Sequence, residues 1–394
     1  MKIAVFSKKT TFHKGFGGME VQNKLLCEGL VKRGNTVVVF SPKNDVVPLE
    51  QVENSVKYVF VECDYRYFMS RTNKNSWFNK STDAFKKTHA SELFDVAISQ
   101  SSAGIGVIEH KNSLKIKVIS VAHGSTMGEL KTFYINNHSM ADIPKLLLNL
   151  QYFLRQFFGR QRQFILHSNK VIAVSNAVKK QLQEETFPPE SLITVINNGV
   201  EPFDIVSNTP KLSKKLVYIG QITKDKGTDL FLEILKDLRF KDFEMDILGD
   251  GDLMPIFKRV VTERNNVVKA NLLGKISHEQ IIEKLKTESG AIFVFPTKRI
   301  EGFPMVLVEA MFAGLPVVAY DLGGVSDAVI DQETGVLVPF GKQKVFINKL
   351  LELAGDPVKM EHMSKTSRER AENNFSLNTM LDKYEGIIKE VLAK

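Results

Sequence analysis

The chain contains 394 residues, of which 43% are hydrophobic and 25% charged, and its formal net charge is +8. This length exceeds one ordinary hydrophobic core and suits two domains, while the composition is that of a soluble globular protein. No apolar run approaches the length of a membrane-spanning helix, and the apolar run at the N-terminus is too short for a signal peptide.

Two cysteines are present, Cys27 and Cys63, and neither lies in a metal-binding spacing. This usage fits a reducing compartment and excludes a disulfide framework or a structural zinc site. Together with the missing signal peptide, it predicts a cytoplasmic protein.

The positive charge is concentrated in the first half of the chain. Residues 1–200 hold 26 Lys and Arg against 16 Asp and Glu, whereas the remainder holds 27 against 29. Such a basic half predicts an anionic partner, or else the charge serves only solubility. No nucleic-acid recognition module is present, so a nucleic acid is not the predicted partner.

Short β-branched runs alternate with helical periodicity in both halves of the chain. In the first half, strands are predicted at 3–7, 37–40, 56–61, 96–99, 118–121 and 171–175, with an amphipathic helix at 21–32. In the second half, strands are predicted at 216–219, 244–248, 268–273, 292–295 and 317–320, with helices at 229–238, 278–286, 306–313 and 343–354. This alternation predicts an α/β fold with two doubly wound parallel sheets.

A polar stretch with two prolines, Glu201–Ser213, lacks helical periodicity and indicates the linker between the domains. The resulting boundaries are 1–203 and 204–375, followed by a C-terminal helix at 376–394 that we expect to pack back on the N-terminal domain. Ligands of such sheets bind beyond the carboxyl ends of the strands, so the loops there are candidate sites.

The most informative loop lies between the strand at 292–295 and the helix that follows it. Gly302-Phe303-Pro304 leads directly into the helix, and Pro304 suits the first helical position. The free N–H groups of a first helical turn, with Met305 among them, can bind phosphate. Glu301 and Glu309 bracket this turn.

Three other loops carry weaker signals. Gly17 and Gly18 follow the first strand, His123 follows the strand at 118–121, and Gly220-Gln221 leads to Lys226 at a predicted helix start. Each has an ordinary structural explanation: a tight turn, a structural histidine and a solvated charged turn. The Asp250-x-Asp252 pair could hold a metal ion, but a turn explains it better.

Taken together, these loops resemble the retaining GT-B glycosyltransferases of the family 4 type, also called glycosyl transferases group 1. The resemblance covers nearly the whole chain and is strongest in EGFPMVLVEAMFAGLPVVA, which carries Glu301 and Glu309. Supporting matches are Gly17-Gly18-Met19-Glu20, Ala122-His123-Gly124, Lys226-Gly227, Gly249-Asp250-Gly251 and Gly323-Gly324.

The resemblance implies two Rossmann-like domains facing across a cleft. Residues 1–203 would bind the acceptor and residues 204–375 the nucleotide-sugar. The implied activity is transfer of a sugar from a UDP- or GDP-sugar to a hydroxyl of a glycan or lipid-linked acceptor, in bacterial surface polysaccharide or lipopolysaccharide synthesis. The anomeric configuration would be retained, and neither a cofactor nor a metal would be required.

The resemblance also implies roles for individual residues. The catalytic residues would be His123, Glu301 and Lys226. The donor would be bound by Gly17, Gly18, Gln221, Lys226, Arg299, Gly302, Phe303, Pro304, Met305 and Glu309.

One position departs from the family pattern, because Gln221 stands where an arginine is usual. The resulting loss of charge beside the diphosphate could be made good by Lys298 or Arg299. Gln221 also keeps open a catalytically weakened homologue that only binds a nucleotide-sugar. A second alternative with the same architecture is a GT-B epimerase.

Residues 143–167 alternate leucine and aromatic residues with Arg155, Arg160 and Arg162. The segment is either an interfacial helix that contacts an anionic membrane or a core helix with its arginines in solvent. The first interpretation would place the protein peripherally on the inner face of the cell membrane.

Overall fold

The computed structural model describes residues 1–66, 68–136, 143–206, 214–263 and 266–394. The chain divides into two compact units. The first unit contains Met1–Met127, Ala141–Gly199 and Leu377–Lys394, and the second contains Gly128–Met140 and Val200–Ser376. Within the described ranges, no helix is long and apolar enough to cross a membrane.

The first unit is built on an eight-stranded sheet with the order β3-β4-β2-β1-β5-β6-β7-β8. Its strands are β1 (Lys2–Phe6), β2 (Thr36–Pro42), β3 (Glu50–Glu53), β4 (Val56–Val61), β5 (Val96–Gln100), β6 (Lys117–Ala122), β7 (Lys170–Ala173) and β8 (Ile193–Val195). All neighbouring pairs are parallel except β3 with β4. The central strands are buried on both faces, as a sheet covered by helices requires.

Helices cover both faces of this sheet. They are α1 (Gly18–Lys32), α2 (Trp77–Ser91), α3 (Ile105–His110), α4 (Thr126–Asn136), α5 (Ile143–Arg155), α6 (Arg162–Leu166) and α7 (Asn176–Thr186). A π-helical turn, Gln156–Gln161, joins α5 to α6. Most of α4 is grouped with the second unit, because that unit includes Gly128–Met140.

The second unit has a six-stranded, fully parallel sheet with the order β11-β10-β9-β12-β13-β14. Its strands are β9 (Lys215–Ile219), β10 (Glu244–Leu248), β11 (Lys269–Gly274), β12 (Ile292–Phe295), β13 (Val317–Asp321) and β14 (Gly335–Pro339). Counted within the unit, this is the Rossmann order 3-2-1-4-5-6, in which the direction of winding reverses between β9 and β12.

The helices of the second unit are α8 (Asp229–Ile234), α9 (Met254–Thr262), α10 (His278–Leu285), α11 (Met305–Phe312), α12 (Val325–Ala328), α13 (Gln343–Ala354) and α14 (Pro357–Asn374). They bury an apolar core that includes Phe231, Phe257 and Phe346. The last helix of the chain, α15 (Leu377–Leu392), belongs to the first unit.

Helix α15 packs against α1 at a position where α1 has no side chain. A Cβ on Gly29 would lie 2.5 Å from Cδ1 of Leu381, so glycine makes the close approach possible. Beside this contact, Arg33 pairs with Asp382 at 2.6 Å and with Glu385 at 3.3 Å.

The predicted α/β fold with two doubly wound parallel sheets is confirmed. One local prediction was wrong: Pro304 is the N-cap residue, with φ −73° and ψ 113°, and α11 begins at Met305. The helix predicted at 229–238 ends at Ile234. Of the predicted linker, residues 207–213 lie outside the described residues.

Gly227 provides a test of the packing that brings two loops of the second unit together. Its φ is +71°, and a Cβ there would lie 1.7 Å from the carbonyl oxygen of Pro296. Gly274 has nearly the same φ, +68°, but no heavy atom lies within 4 Å of its Cβ position. Both Gly→Ala changes carry the left-handed penalty of about 1–2 kcal/mol, and only Gly227→Ala also displaces backbone.

We therefore expect Gly227→Ala to lower the melting temperature clearly more than Gly274→Ala, as measured by differential scanning calorimetry of the two purified variants. Equal shifts in the two variants would show that the Gly227–Pro296 approach does not constrain the fold.

Candidate functional site

The winding reversal of the second unit brings together two residues that the sequence singled out. Lys226 lies in the loop after β9, and Glu301 lies in the loop after β12. Lys226 Nζ donates to Glu301 Oε1 at 2.5 Å, and both side chains are about one-fifth exposed. A cation and a carboxylate therefore stand at the edge of the sheet where open α/β folds bind ligands.

Backbone contacts hold these two loops in place. Lys298 N donates to the carbonyl of Asp225 at 2.9 Å, which joins the loop after β12 to the loop after β9. Gly324 N donates to the carbonyl of Glu301 at 2.8 Å. A Cβ on Gly323 would lie 2.6 Å from that same carbonyl, so glycine allows the loop after β13 to approach Glu301.

Gln221 is anchored through its backbone. The hydroxyl of Tyr218 donates to the carbonyl of Gln221 at 2.7 Å, while the Gln221 side chain is exposed. A Cβ on Gly249 would lie 1.7 Å from the carbonyl of Gly220, which fixes the loop after β10 against this one. The site therefore presents an uncharged amide where the family pattern has an arginine.

The two candidate replacement cations differ in their surroundings. Lys298 Nζ pairs with Asp229 Oδ2 at 2.6 Å at the start of α8. The Arg299 side chain is exposed, while its backbone N–H donates to Thr297 Oγ1 at 3.2 Å. Of the two, Arg299 is therefore the side chain that can turn to an anion without breaking an ion pair.

The residues at the start of α11 are mostly buried. Phe303, Pro304 and Met305 are buried, and the Phe303 ring meets Phe375 edge-on at 5.2 Å between centroids. Their side chains therefore serve packing, whereas the amides of the first turn lie outside the intrahelical ladder. Gly302 is partly exposed at this entry.

Glu309 lies inside α11 and is 5% exposed. Its Oε1 is 2.9 Å from Nε2 of His278, the first residue of α10. The hydrogen bond to Glu309 raises the pKa of His278. The buried carboxylate therefore keeps one oxygen on a histidine and has a second oxygen for another partner.

In the first unit, His123 follows β6 and its Nε2 is 2.7 Å from Gln100 Oε1. Gln100 donates through its side-chain nitrogen to Asn23 Oδ1 at 2.8 Å, so its oxygen accepts from His123. This chain places the proton of a neutral ring on Nε2 and the lone pair on Nδ1. Burial lowers the pKa of His123 to about 4, so the ring is neutral at physiological pH.

Gly17 and Gly18 form the start of α1. Gly17 N donates to Glu20 Oε2 at 2.8 Å, in the manner of a capping box. Its φ is −139°, which any residue adopts, and no heavy atom lies within 4 Å of a Cβ built on Gly18. Backbone conformation therefore does not demand glycine here, and the helix start is open to an approaching ligand.

The structure brings Lys226, Gln221, Glu301 and Arg299 onto the loops after β9 and β12, and it places Glu309 beside His278. His278, Gln100 and Tyr218 were not predicted as site residues from the sequence. A signal for His278 was present, because Ser277 and Gln280 have capping-box spacing and mark His278 as the first residue of a helix.

Asp250 behaves as a turn residue, because its Oδ1 accepts from Gly251 N at 2.9 Å. Within the part of the chain that the structure describes, no group of three or more His, Cys, Asp or Glu side chains could hold a metal ion. Independence of metal itself stays a prediction.

Two family models match this chain side by side. Residues 16–202 match the model described as Glycosyltransferase Family 4, and residues 201–370 match the model described as Glycosyl transferases group 1. The two matches together run through both units.

Individual relatives agree with these models. An uncharacterized glycosyltransferase of Methanocaldococcus jannaschii is 32% identical over 52% of this chain and 53% of its own length. The capsular polysaccharide biosynthesis glycosyltransferase CapM of Staphylococcus aureus is 28% identical over 57% of this chain and 62% of its own. The chain thus spans about half the length of the curated relatives that it matches.

Solved structures share the fold at low sequence identity. Sucrose-phosphate synthase from Thermosynechococcus elongatus superposes with a TM-score of 0.78 at 19% identity, covering 100% of this chain and 99% of that one. The Anabaena protein HepE, in complex with UDP, superposes with a TM-score of 0.67 at 15% identity, covering 99% of each chain. With both sheets, the loop motifs and both family models in agreement, the chain belongs to the GT-B glycosyltransferases of the family 4 type.

Proposed function

We propose that this protein is a glycosyltransferase that moves a sugar from a nucleotide-sugar to a hydroxyl of a glycan or lipid-linked acceptor. The observation that carries the proposal is the Lys226–Glu301 pair at the winding reversal, with buried Glu309 on the helix that follows. CapM and other relatives named for polysaccharide synthesis support a role in bacterial surface polysaccharide or lipopolysaccharide synthesis.

The donor is bound through three kinds of group. Glu309 accepts from the ribose hydroxyls through the oxygen that His278 does not use. Lys226 and Arg299 face the diphosphate, with the backbone N–H groups of Phe303 and Met305 acting at the positive end of α11. UDP is the proposed nucleotide, since HepE structures that share this fold hold UDP or UDP-glucose.

The chemistry follows from where charge develops. As the bond to the sugar breaks, the diphosphate gains negative charge, and preorganised donors stabilise it. Lys226 and the helix amides supply such donors without a metal. The leaving phosphate takes the acceptor's proton on the same face, so the anomeric configuration is retained, and Glu301 contacts hydroxyls of the transferred sugar.

We extend the proposal to the first unit. His123 is held neutral and oriented by Gln100, so its Nδ1 can accept a hydrogen bond from a sugar hydroxyl. Gly17 and Gly18 leave the start of α1 open to a phosphate group. The exposed, uncharged Gln221 is the feature that favours a weakened, donor-binding homologue as the second candidate.

The donor proposal is tested by calorimetric titration of UDP and uridine into wild type, Lys226→Ala, Arg299→Ala and Glu309→Gln. Removing a charged hydrogen bond costs about 1.5–3 kcal/mol, which is roughly a tenfold to hundredfold loss of affinity. We expect the two cation variants to lose affinity for UDP and keep affinity for uridine, and Glu309→Gln to lose both. Lys258→Ala, an exposed cation on α9, is the matched control.

Turnover is measured on a panel of UDP-, GDP- and ADP-sugars, and proton NMR of the product reads its anomeric configuration. UDP binding without hydrolysis or transfer of any sugar would support the weakened homologue instead. Unchanged UDP affinity in both Lys226→Ala and Arg299→Ala would contradict the proposal that the diphosphate binds at the loops after β9 and β12.

The His278–Glu309 pair predicts a pH-dependent stability. Because the hydrogen bond to Glu309 raises the pKa of His278, and Glu279 adds to the effect, the ion pair is complete below the ordinary histidine pKa. It is lost as pH rises through the raised pKa. We expect wild type to melt above His278→Gln at pH 6, with the difference vanishing by about pH 9 as the imidazolium deprotonates.

His278→Gln keeps a side-chain N–H donor but carries no charge, so the comparison isolates the ion pair. His362→Gln, on α14, serves as the control variant. A melting difference between wild type and His278→Gln that stays constant from pH 6 to pH 9 would contradict the pairing.

We also propose that α5 and the turn after it contact an anionic membrane surface. Leu150, Tyr152, Leu154 and Phe158 are 40–69% exposed, whereas Phe153 is 8% exposed and anchors the helix to the first unit. Exposed apolar side chains interleaved with arginine are typical of interfacial helices. The proposal places the protein peripherally on the inner face of the membrane, where lipid-linked acceptors reside.

Vesicle sedimentation tests this contact. We expect wild type to sediment with phosphatidylglycerol vesicles at low salt, and Leu154→Gln/Phe158→Ser to remain in the supernatant, because its apolar contact area is lost. Leu93→Gln removes a leucine elsewhere in the first unit that is 76% exposed, and this variant should sediment like wild type. Absence of wild-type binding, or equal loss in the control, would defeat the proposal.

A further inference from the structure

A pocket in the first unit gathers positive charge, and none of the residues assigned to the donor lines it. Its volume is about 200 Å³, and its lining includes Met69, Arg71, Phe78, Arg155, Gly159 and Arg160. We call it the arginine pocket. Its apolar side chains form walls from which three guanidinium groups can act on one bound molecule.

The charges of the arginine pocket are only partly compensated. Arg71 donates from Nε to Glu109 at 3.2 Å and lies over the ring of Phe78 at 5.6 Å. Among the residues that the structure describes, Arg155 and Arg160 form no ion pair. Burial, together with the nearby positive charges of Arg155 and Arg71, lowers the pKa of Arg160. The pocket therefore holds three cations against one carboxylate.

The π-helical turn at Gln156–Gln161 is what brings Arg155 and Arg160 together. On an α-helix, residues five apart point about 140° away from each other. A π turn instead closes its hydrogen bonds between residues i and i+5, which reduces the angle between the two arginines, and both line the same pocket. Such turns interrupt the regular α-helix and often occur at functional sites. Here the turn brings the arginines of the pocket together.

We propose that the arginine pocket binds a phosphate or diphosphate group carried by a lipid. Guanidinium groups hold phosphate oxygens through paired hydrogen bonds, and three of them suit more than one negative charge. Leu154 and Phe158 on the adjacent turns are 47% and 69% exposed, which favours a ligand with an apolar portion over a soluble anion. The identification of this group as the anionic end of a lipid-linked acceptor rests on the proposed function.

The test titrates soluble short-chain phosphatidic acid, short-chain phosphatidylcholine and inorganic pyrophosphate into the full-length protein, with and without saturating UDP. We expect wild type to bind phosphatidic acid and not phosphatidylcholine. Arg155→Gln and Arg160→Gln should each weaken phosphatidic acid binding about tenfold, because each loses a charge-assisted contact. Arg259→Gln, an exposed arginine on α9, should bind like wild type.

Melting curves identify folded variants, and exposed Arg155 keeps the test valid should Arg160→Gln fold poorly. Unchanged affinity in both variants, or an equal loss in Arg259→Gln, overturns the proposal. Pyrophosphate binding that depends on Arg155 and Arg160, without phosphatidic acid binding, overturns the proposal that a lipid carries the bound phosphate. UDP affinity, measured on the same samples, reports separately on the donor site, so its failure is distinguishable from failure of the pocket.

Discussion

The ion pair between Lys226 and Glu301 is the contact on which the candidate site depends. It joins loops from β9 and β12, the two strands between which the second sheet reverses its winding. This contact fixes the direction of the lysine side chain before any ligand arrives. Such preorganisation stabilises an anion more effectively than a mobile surface cation, because no ordering is needed at the moment of binding.

Glycines make that arrangement possible, and they also show why part of the site was predictable. Gly227 and Gly323 approach the carbonyls of Pro296 and Glu301 within distances that no Cβ tolerates. Because such approaches require glycine at fixed distances in sequence from the strands, the positions of the glycines indicate where these loops lie. Strands β9, β10, β12 and β13 were predictable because short apolar runs buried on both faces are typical of a parallel sheet. Partly exposed β11 was also predicted, whereas β14 was not.

Other features depend on contacts that are remote in sequence. His278 meets Glu309 only because α10 and α11 pack side by side, and Gln100 meets His123 because β5 and β6 are neighbours. Pro304 was predicted at the first helical position, yet its ψ of 113° makes it the cap. The exposed face of α5 could not be separated from a core face by periodicity, since apolar spacing does not report which neighbours are present.

The last helix of the chain has a consequence for biosynthesis. Since α15 packs beside Gly29 of α1, the first unit is complete only after α15 has left the ribosome. The second unit emerges earlier and has all its strands available before then. Until α15 has been synthesised, the apolar surface of α1 that it covers stays exposed. Chaperones bind exposed apolar surfaces of this kind.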